Sequence, residues 1–164
     1  MRWAGLVWLV VGCGDAPAVD TGPDSQGTCP ILADPTCDVR QVDTVEDGAA
    51  VMFGTPPQGG APYAPFTLRF RGLDQAVDGL DIRMLATDEQ TGEILGDSSY
   101  HQWLACANVG EHAGWLVGPE FHLRFAGWEL DELDGRETLF EVSAVDQRGK
   151  AAEAKISATL SLEL

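Results

Sequence analysis

The sequence is poor in positive charge. Ten lysines and arginines stand against 26 aspartates and glutamates, a formal net charge of -16. A chain this acidic repels phosphate backbones and anionic head groups, which excludes nucleic acid as a partner. Long apolar runs are also missing. The longest, Trp3 to Val11, spans ~14 Å as a helix, about half of a ~30 Å hydrocarbon core. No serine sits in a Gly-x-Ser-x-Gly elbow, so the strand-turn-helix nucleophile of the esterase type is absent. Pro57-Gln58-Gly59-Gly60 is Gly-rich, but no helix and no Lys-Ser/Thr follow it. It reads as a turn rather than a phosphate cradle. No segment carries the start and stop signals of an amphipathic helix. These absences predict a non-enzymatic protein without a cofactor.

What is present begins at the N-terminus. Met1-Arg2 is a minimal positive start, Trp3 to Val11 an apolar core, and Gly12-Cys13 follows. This is the layout of a secretory signal peptide. Val10-Val11-Gly12-Cys13 resembles the bacterial lipobox. The resemblance implies diacylglycerol on the Cys13 sulfur and cleavage before it, so that residues 1–12 are a signal peptide and Cys13 becomes the first residue. Each buried CH₂ contributes about 0.8 kcal/mol, and two or more acyl chains hold a protein where one does not. The expected partner is therefore a membrane, through the lipid anchor. Gly14, not Asp, follows Cys13, which by the same resemblance favours the outer over the inner membrane of the cell envelope.

Residues 13–37 read as the lipidated cysteine and a linker of Asp, Pro, Gly, Ser and Thr. Such a stretch buries too little apolar surface to offset its ordering entropy. A flexible tether of ~20 residues reaches about 25 Å. Within it, Val19-Asp20-Thr21-Gly22 looks like an aspartic-protease motif. That chemistry needs a rigid loop and a second carboxylate in a cleft, and Asp20 stands between Pro17 and Pro23 with no strand before it.

With Cys13 acylated, Cys29, Cys37 and Cys106 remain. An oxidising envelope permits one disulfide and one leftover thiol. A Cys29–Cys37 bridge contributes roughly 2.6 kcal/mol and Cys37–Cys106 roughly 4.4 kcal/mol in the chain-entropy model. The expectation is Cys37–Cys106, which staples the first strand to a middle loop. His101, Cys106 and His112 lie near one another but lack Cys-x₂₋₄-Cys spacing, so no metal site is expected there.

From residue 38 onward the dominant period is two. Phe66, Leu68 and Phe70 alternate with Thr67, Arg69 and Arg71. The same alternation places Leu80, Ile82 and Met84 on one face of a strand, and likewise Phe121, Leu123 and Phe125. Phe140, Val142 and Ala144 follow, then Ile156, Ala158, Leu160 and Leu162. Turn chemistry separates these runs at Glu46-Asp47-Gly48, Asp88 to Gly92, Asp131 to Gly135 and Asp146 to Gly149. Ser98-Ser99 reads as a loop. The expectation for 38–164 is one all-β domain, a β-sandwich of about seven to nine antiparallel strands ending in a hairpin.

The order of several short motifs resembles a group of Ig-like lipoproteins of unassigned function from myxobacteria and related bacteria. They are Val45-Glu46-Asp47-Gly48, Pro57-Gln58-Gly59-Gly60, Arg71-Gly72-Leu73, Thr91 to Gly96, Leu133-Asp134-Gly135-Arg136 and Val145 to Ala151. They cover most of 42–164. Relatives of this kind often follow Pro-Gln-Gly-Gly with Trp or His, where this chain has Ala61-Pro62-Tyr63-Ala64-Pro65. The resemblance implies an Ig-like sandwich on a lipid tether and no known activity.

Three candidate chemistries follow from residue types. Glu129, Asp131, Glu132 and Asp134 crowd one turn, as a calcium site requires, but without EF-hand spacing. Asp43, Glu46 and Asp47 form a second acidic turn. Tyr100, Trp103, Trp115 and Trp128 could stack on sugar rings, or fill the core as Trp103 and Trp128 beside apolar runs suggest. His101, His112 and His122 are the general-base candidates by type. The reading that best fits is an adhesion or interaction domain with a protein or glycan partner; the alternative is a carbohydrate- or calcium-binding module.

Overall fold

The computed structural model describes residues 41–43, 47–75, 79–107 and 114–162. Among them the chain is mostly strand, with almost no helix. The strands are β1 (Gln41–Asp43), β2 (Ala50–Phe53), β3 (Tyr63–Arg71), β4 (Leu80–Asp88), β5 (Ile94–Gln102), β6 (Ala105–Cys106), β7 (Leu116–Arg124), β8 (Glu137–Val145) and β9 (Ala151–Leu162), with one helical turn, α1 (Leu130–Leu133), between β7 and β8. They form a four-stranded sheet in the order β1-β3-β7-β6 and a five-stranded sheet in the order β2-β9-β8-β4-β5.

The period of two explains the packing. Every inner residue of the β3, β4, β7 and β8 patterns is buried, and both sheets contribute to one core. Phe66 of the four-stranded sheet meets Phe140 of the five-stranded sheet at 5.4 Å between ring centroids. Phe121 and Tyr100 do the same at 5.2 Å. Phe53, Phe70 and Phe125 are fully buried. Aromatic pairs at these separations add ~0.5–1.5 kcal/mol beyond their buried area.

Four features depart from the expectation. First, β2 runs parallel to β9. A parallel pair needs no hairpin, only a long-range meeting of strands, and β2 and β9 lie near opposite ends of the described chain. Second, Ser98-Ser99 belongs to β5 and is not a loop. Third, the 131–135 turn contains α1, entered with the Glu129 N–H donating to the Glu132 carboxylate at 3.0 Å. That reciprocal cap satisfies a helix-end donor. Fourth, Cys106 sits in the edge strand β6 instead of a loop and is disulfide-bonded. Its expected partner Cys37 lies outside the described residues, as do Cys13 and Cys29.

One edge is closed by side chains. Over its second half β7 has β3 on one side only. On the other side β5 supplies hydroxyls in place of a strand. The Tyr100 hydroxyl accepts from His122 N–H at 3.0 Å and donates to His122 C=O at 2.5 Å. Ser98 Oγ accepts from Arg124 N–H at 3.0 Å. The approach is close enough that a Cβ on Gly96 would lie 2.8 Å from the Arg124 carbonyl.

Candidate functional site

The outward residues of the five-stranded sheet follow from strand register. Val145, Asp81 and His101 align across β8, β4 and β5; so do Ser143, Arg83 and Ser99, and then Glu141, Leu85 and Asp97. On β9, Glu153 faces Ser143 and Lys155 faces Glu141. Alternation sends all of these away from the core, because Ile82, Met84, Val142 and Ala144 between them are buried.

Two ion pairs and one histidine–carboxylate hydrogen bond tie this face together. Arg83 donates twice to Asp97, at 3.1 and 2.7 Å. His101 Nδ1 and Asp81 Oδ1 are 2.7 Å apart. Lys155 pairs with Glu141 directly across the sheet. The hydrogen bond to Asp97 holds the Arg83 guanidinium above its ordinary range, and Arg83 in turn holds the Asp97 carboxyl below its own against a smaller opposing push from burial. The Glu141 hydrogen bond likewise raises Lys155.

Arg83 leans diagonally toward Asp97, and its direct neighbours Ser99 and Ser143 are short. The floor over β4 is therefore low. A shallow groove of about 490 Å³ opens there, with Asp81, His101 and Val145 on its walls. A second groove of about 200 Å³ lies beside it, between Leu85, Glu141, Glu153 and Lys155. Val145 and, just beyond β5, Trp103 are exposed apolar side chains, at 37% and 45%. The face thus offers paired charges, small hydroxyls and apolar groups on a rigid sheet, a composition suited to contact with a partner. His101 and Asp81 form an oriented imidazole–carboxylate pair, but they are 64% and 76% exposed. In open water such a pair lacks the low-dielectric surroundings that make it strong in catalysis.

The other sequence candidates are scattered. Glu132 is committed to the Glu129 N–H, and Asp134 accepts from Leu162 N–H at 2.9 Å. Asp131 lies in the first turn of α1, where a carboxylate favours the helix dipole. Among the described residues no three His, Cys, Asp or Glu side chains gather as metal donors. In the second acidic turn, Asp47 accepts from Ser157 N–H at 2.8 Å; Glu46 and the Asp43 side chain lie outside the described residues, as does His112. Trp115 is buried, Trp128 lies under the Arg136 guanidinium at 4.5 Å, and Tyr100 is engaged with β7. Trp103 alone of those four aromatics is exposed, contrary to the core role its apolar neighbours suggested.

His122 belongs to the opposite surface. It stands on β7 with its ring 4.4 Å from Tyr63 and its Nε2 2.9 Å from Glu120. Around it the outward positions of the four-stranded sheet carry Arg69 and Arg71 on β3 and Arg124 on β7. Sequence reading overlooked this basic face. The signal was present in the polar letters between Phe66, Leu68 and Phe70, once their side of the sheet is known.

No protein-family model and no curated protein matches this sequence. Among solved structures the chain is similar to a structure of murine CRIg, at 9% identity over 77% of this chain and 99% of that one, with a TM-score of 0.36. The fold is therefore read from the chain's own strand order.

Proposed function

We propose that this chain is a lipid-anchored envelope protein whose body is an Ig-like β-sandwich, acting as a binding module without catalysis. Support for the fold comes from topology. Taken in chain order as A, A′, B, C, C′, D, E, F and G, the sheets read A-B-E-D and A′-G-F-C-C′. That order follows the two sheets of a variable-type immunoglobulin domain, with the first strand divided between them and without a C″ strand among the described residues. Antibody domains carry an inter-sheet cysteine pair on strands B and F; the strands in those places here, β3 and β8, hold no cysteine.

The observation that carries the binding reading is the outer face of the five-stranded sheet, where two exposed ion pairs and the His101–Asp81 hydrogen bond span four strands beside two shallow grooves. Its outward charges are five acids, Asp81, Asp97, Glu137, Glu141 and Glu153, against Arg83 and Lys155. A protein or glycan partner with basic or hydroxyl-rich chemistry fits it. The anchor rests on the lipobox at Val10–Cys13, and the Gly14 that follows favours the outer membrane.

Two measurements test the reading. Mass spectrometry of the protein recovered from membranes should show an acylated Cys13 as first residue; an uncut, unmodified N-terminus would sink the anchor. A pull-down from envelope extracts and glycan arrays should lose its ligand in an Arg83→Glu, Glu141→Lys variant that still folds. Capture that is indifferent to this face removes the binding surface from the proposal.

A further inference from the structure

The two sheet surfaces differ in sign, and each holds charges that its own chain leaves unmatched. The outward positions of β3 and β7 carry Arg69, Arg71 and Arg124 against one acid, Glu120, which is taken up by His122 at 2.9 Å. Arg69 is engaged, but among the described residues neither Arg71 nor Arg124 meets an acid. On the five-stranded sheet Arg83 pairs with Asp97 and Lys155 with Glu141. The Asp81 carboxylate meets His101, and that of Glu137 meets the Thr159 hydroxyl. Among the described residues neither of these two acids has a lysine or arginine against it.

The unmatched charges have the same spacing on both faces. Arg124 lies opposite Tyr63, eight residues along β3 from Arg71, or ~27 Å. Asp81 lies opposite Val145, eight residues along β8 from Glu137, again ~27 Å. In each case the two residues stand on neighbouring strands, β3 and β7 or β4 and β8. A pair of bases on one rigid sheet therefore overlays a pair of acids on the other. Little stands in the way between them. Pro65 and Thr67 on β3 are short, and Leu85, Leu139 and Ser143 on the other face are half-buried.

We infer that copies of this chain associate head to tail, the four-stranded face of one resting on the five-stranded face of the next, with Arg71 and Arg124 against Asp81 and Glu137. Two like faces do not meet this way, because acids would oppose acids and arginines would oppose arginines. A contact between two different patches leaves one of each free on the pair it makes, so it goes on to add further copies in a ring or a row. The contact is small. Strands β3 and β7 are nine residues long, so the four-stranded face measures ~30 Å by ~14 Å. That places it among weak, transient interfaces. The inference rests on the binding-face reading and deepens it: the partner of the grooved face is a second copy of this chain, which brings the basic chemistry that face fits.

Sedimentation equilibrium of the full exported chain tests this, in detergent at fewer than one chain per micelle. The salt should be about 0.15 M, where a screening length of ~8 Å hides distant acids but not charges in contact. The mean mass of the parent should climb with concentration past two copies. Arg71→Glu with Arg124→Glu makes both faces acidic, and Asp81→Lys with Glu137→Lys makes both basic. Each variant alone should associate at least tenfold more weakly than the parent. Mixed in equal amounts they should associate again, since each supplies the face the other lacks, and that regain shows that both are folded. A parent that stays single or stops at two copies, a variant that associates like the parent, or a mixture that stays single overturns the inference. Both variants keep the N-terminus, so association through acyl chains alone gives the second of these results. If the parent stays single while the Arg83→Glu, Glu141→Lys variant still loses its ligand from envelope extracts, the binding face stands and the second copy is removed as its partner.

Discussion

The two sheets are alike inside and unlike outside. Inward, both present alternating Phe, Leu, Val and Ala to one core. Outward, the five-stranded sheet carries five acids and two bases, closed into two cross-strand ion pairs beside the His101–Asp81 hydrogen bond, whereas the four-stranded sheet carries three arginines and one glutamate on β3 and β7. The inner alternation is dictated by burial in one shared core. The outer letters are unconstrained by packing, so the contrast between the faces is where function is written. Changes that break the shared core should erase both faces together. Changes at the seam should separate them, and surface changes should alter one and spare the other.

The largest effect is expected at the core. Phe140, 1% exposed and packed against Phe66 across the sheets, joins the two faces. Phe140→Ala should cost ~3–5 kcal/mol, the range for an aromatic deleted from a packed interior. Urea unfolding should show a lower midpoint with a similar slope. Retention of full stability would mean the sheets are not held by one core.

Next comes the seam between β5 and β7. Tyr100→Phe removes the hydroxyl that satisfies both backbone groups of His122. The loss should be ~1–3 kcal/mol, the cost of leaving a partly buried polar group unpaired. Hydrogen exchange at the His122 and Arg124 amides should rise more than at Leu123, whose amide faces β3. Uniform acceleration would show global unfolding rather than an opened edge.

Acid should act on a third place. Asp88, its side chain 8% exposed, accepts from Gln90 and Thr91 N–H groups and from Arg136. The Thr91 hydrogen bond leads in lowering its carboxyl below the ordinary range, against an opposing push from burial. A lowered folded value means the carboxylate's contribution is full above the unfolded value of ~3.9 and is lost as pH falls through the folded value. Thermal stability should therefore drop below about pH 4, with a shallower drop in Asp88→Asn, which starts lower at neutral pH. An Asp88→Asn chain with the parent's acid profile would remove Asp88 from that role.

How much of this was legible depends on which side of a strand a residue faces. The inner rows Phe66-Leu68-Phe70 and Phe140-Val142-Ala144 could be read directly, because burial enforces the period. β5 was hidden because its inward side chains include Ser98 and Tyr100, which serve the β7 backbone rather than the core. α1 was hidden by its four-residue length, too short for a period to show. The parallel β2–β9 pair has no local signal at all, since it joins residues more than a hundred apart. The candidate site was half visible. His101 stood out by type, but its partner Asp81 and the Arg83–Asp97 pair are set by register, which no single strand reveals.

The smallest effect is expected where the contrast is most functional. Arg83 and Asp97 make a two-bonded pair, yet their side chains are 57% and 44% exposed. In water an exposed pair loses most of its Coulomb gain to solvation and to ordering two side chains. A double-mutant cycle of Arg83→Ala with Asp97→Ala should therefore give a coupling near zero, vanishing in about 1 M salt, where the screening length is ~3 Å. Partner capture should respond far more strongly, because removing either group rebuilds the groove floor between Ser99 and Ser143. If the pair instead proves strongly coupled in stability while capture is unchanged, its place is in holding β4 to β5. The five-stranded face would then owe its ion pairs to the sheet and not to a partner.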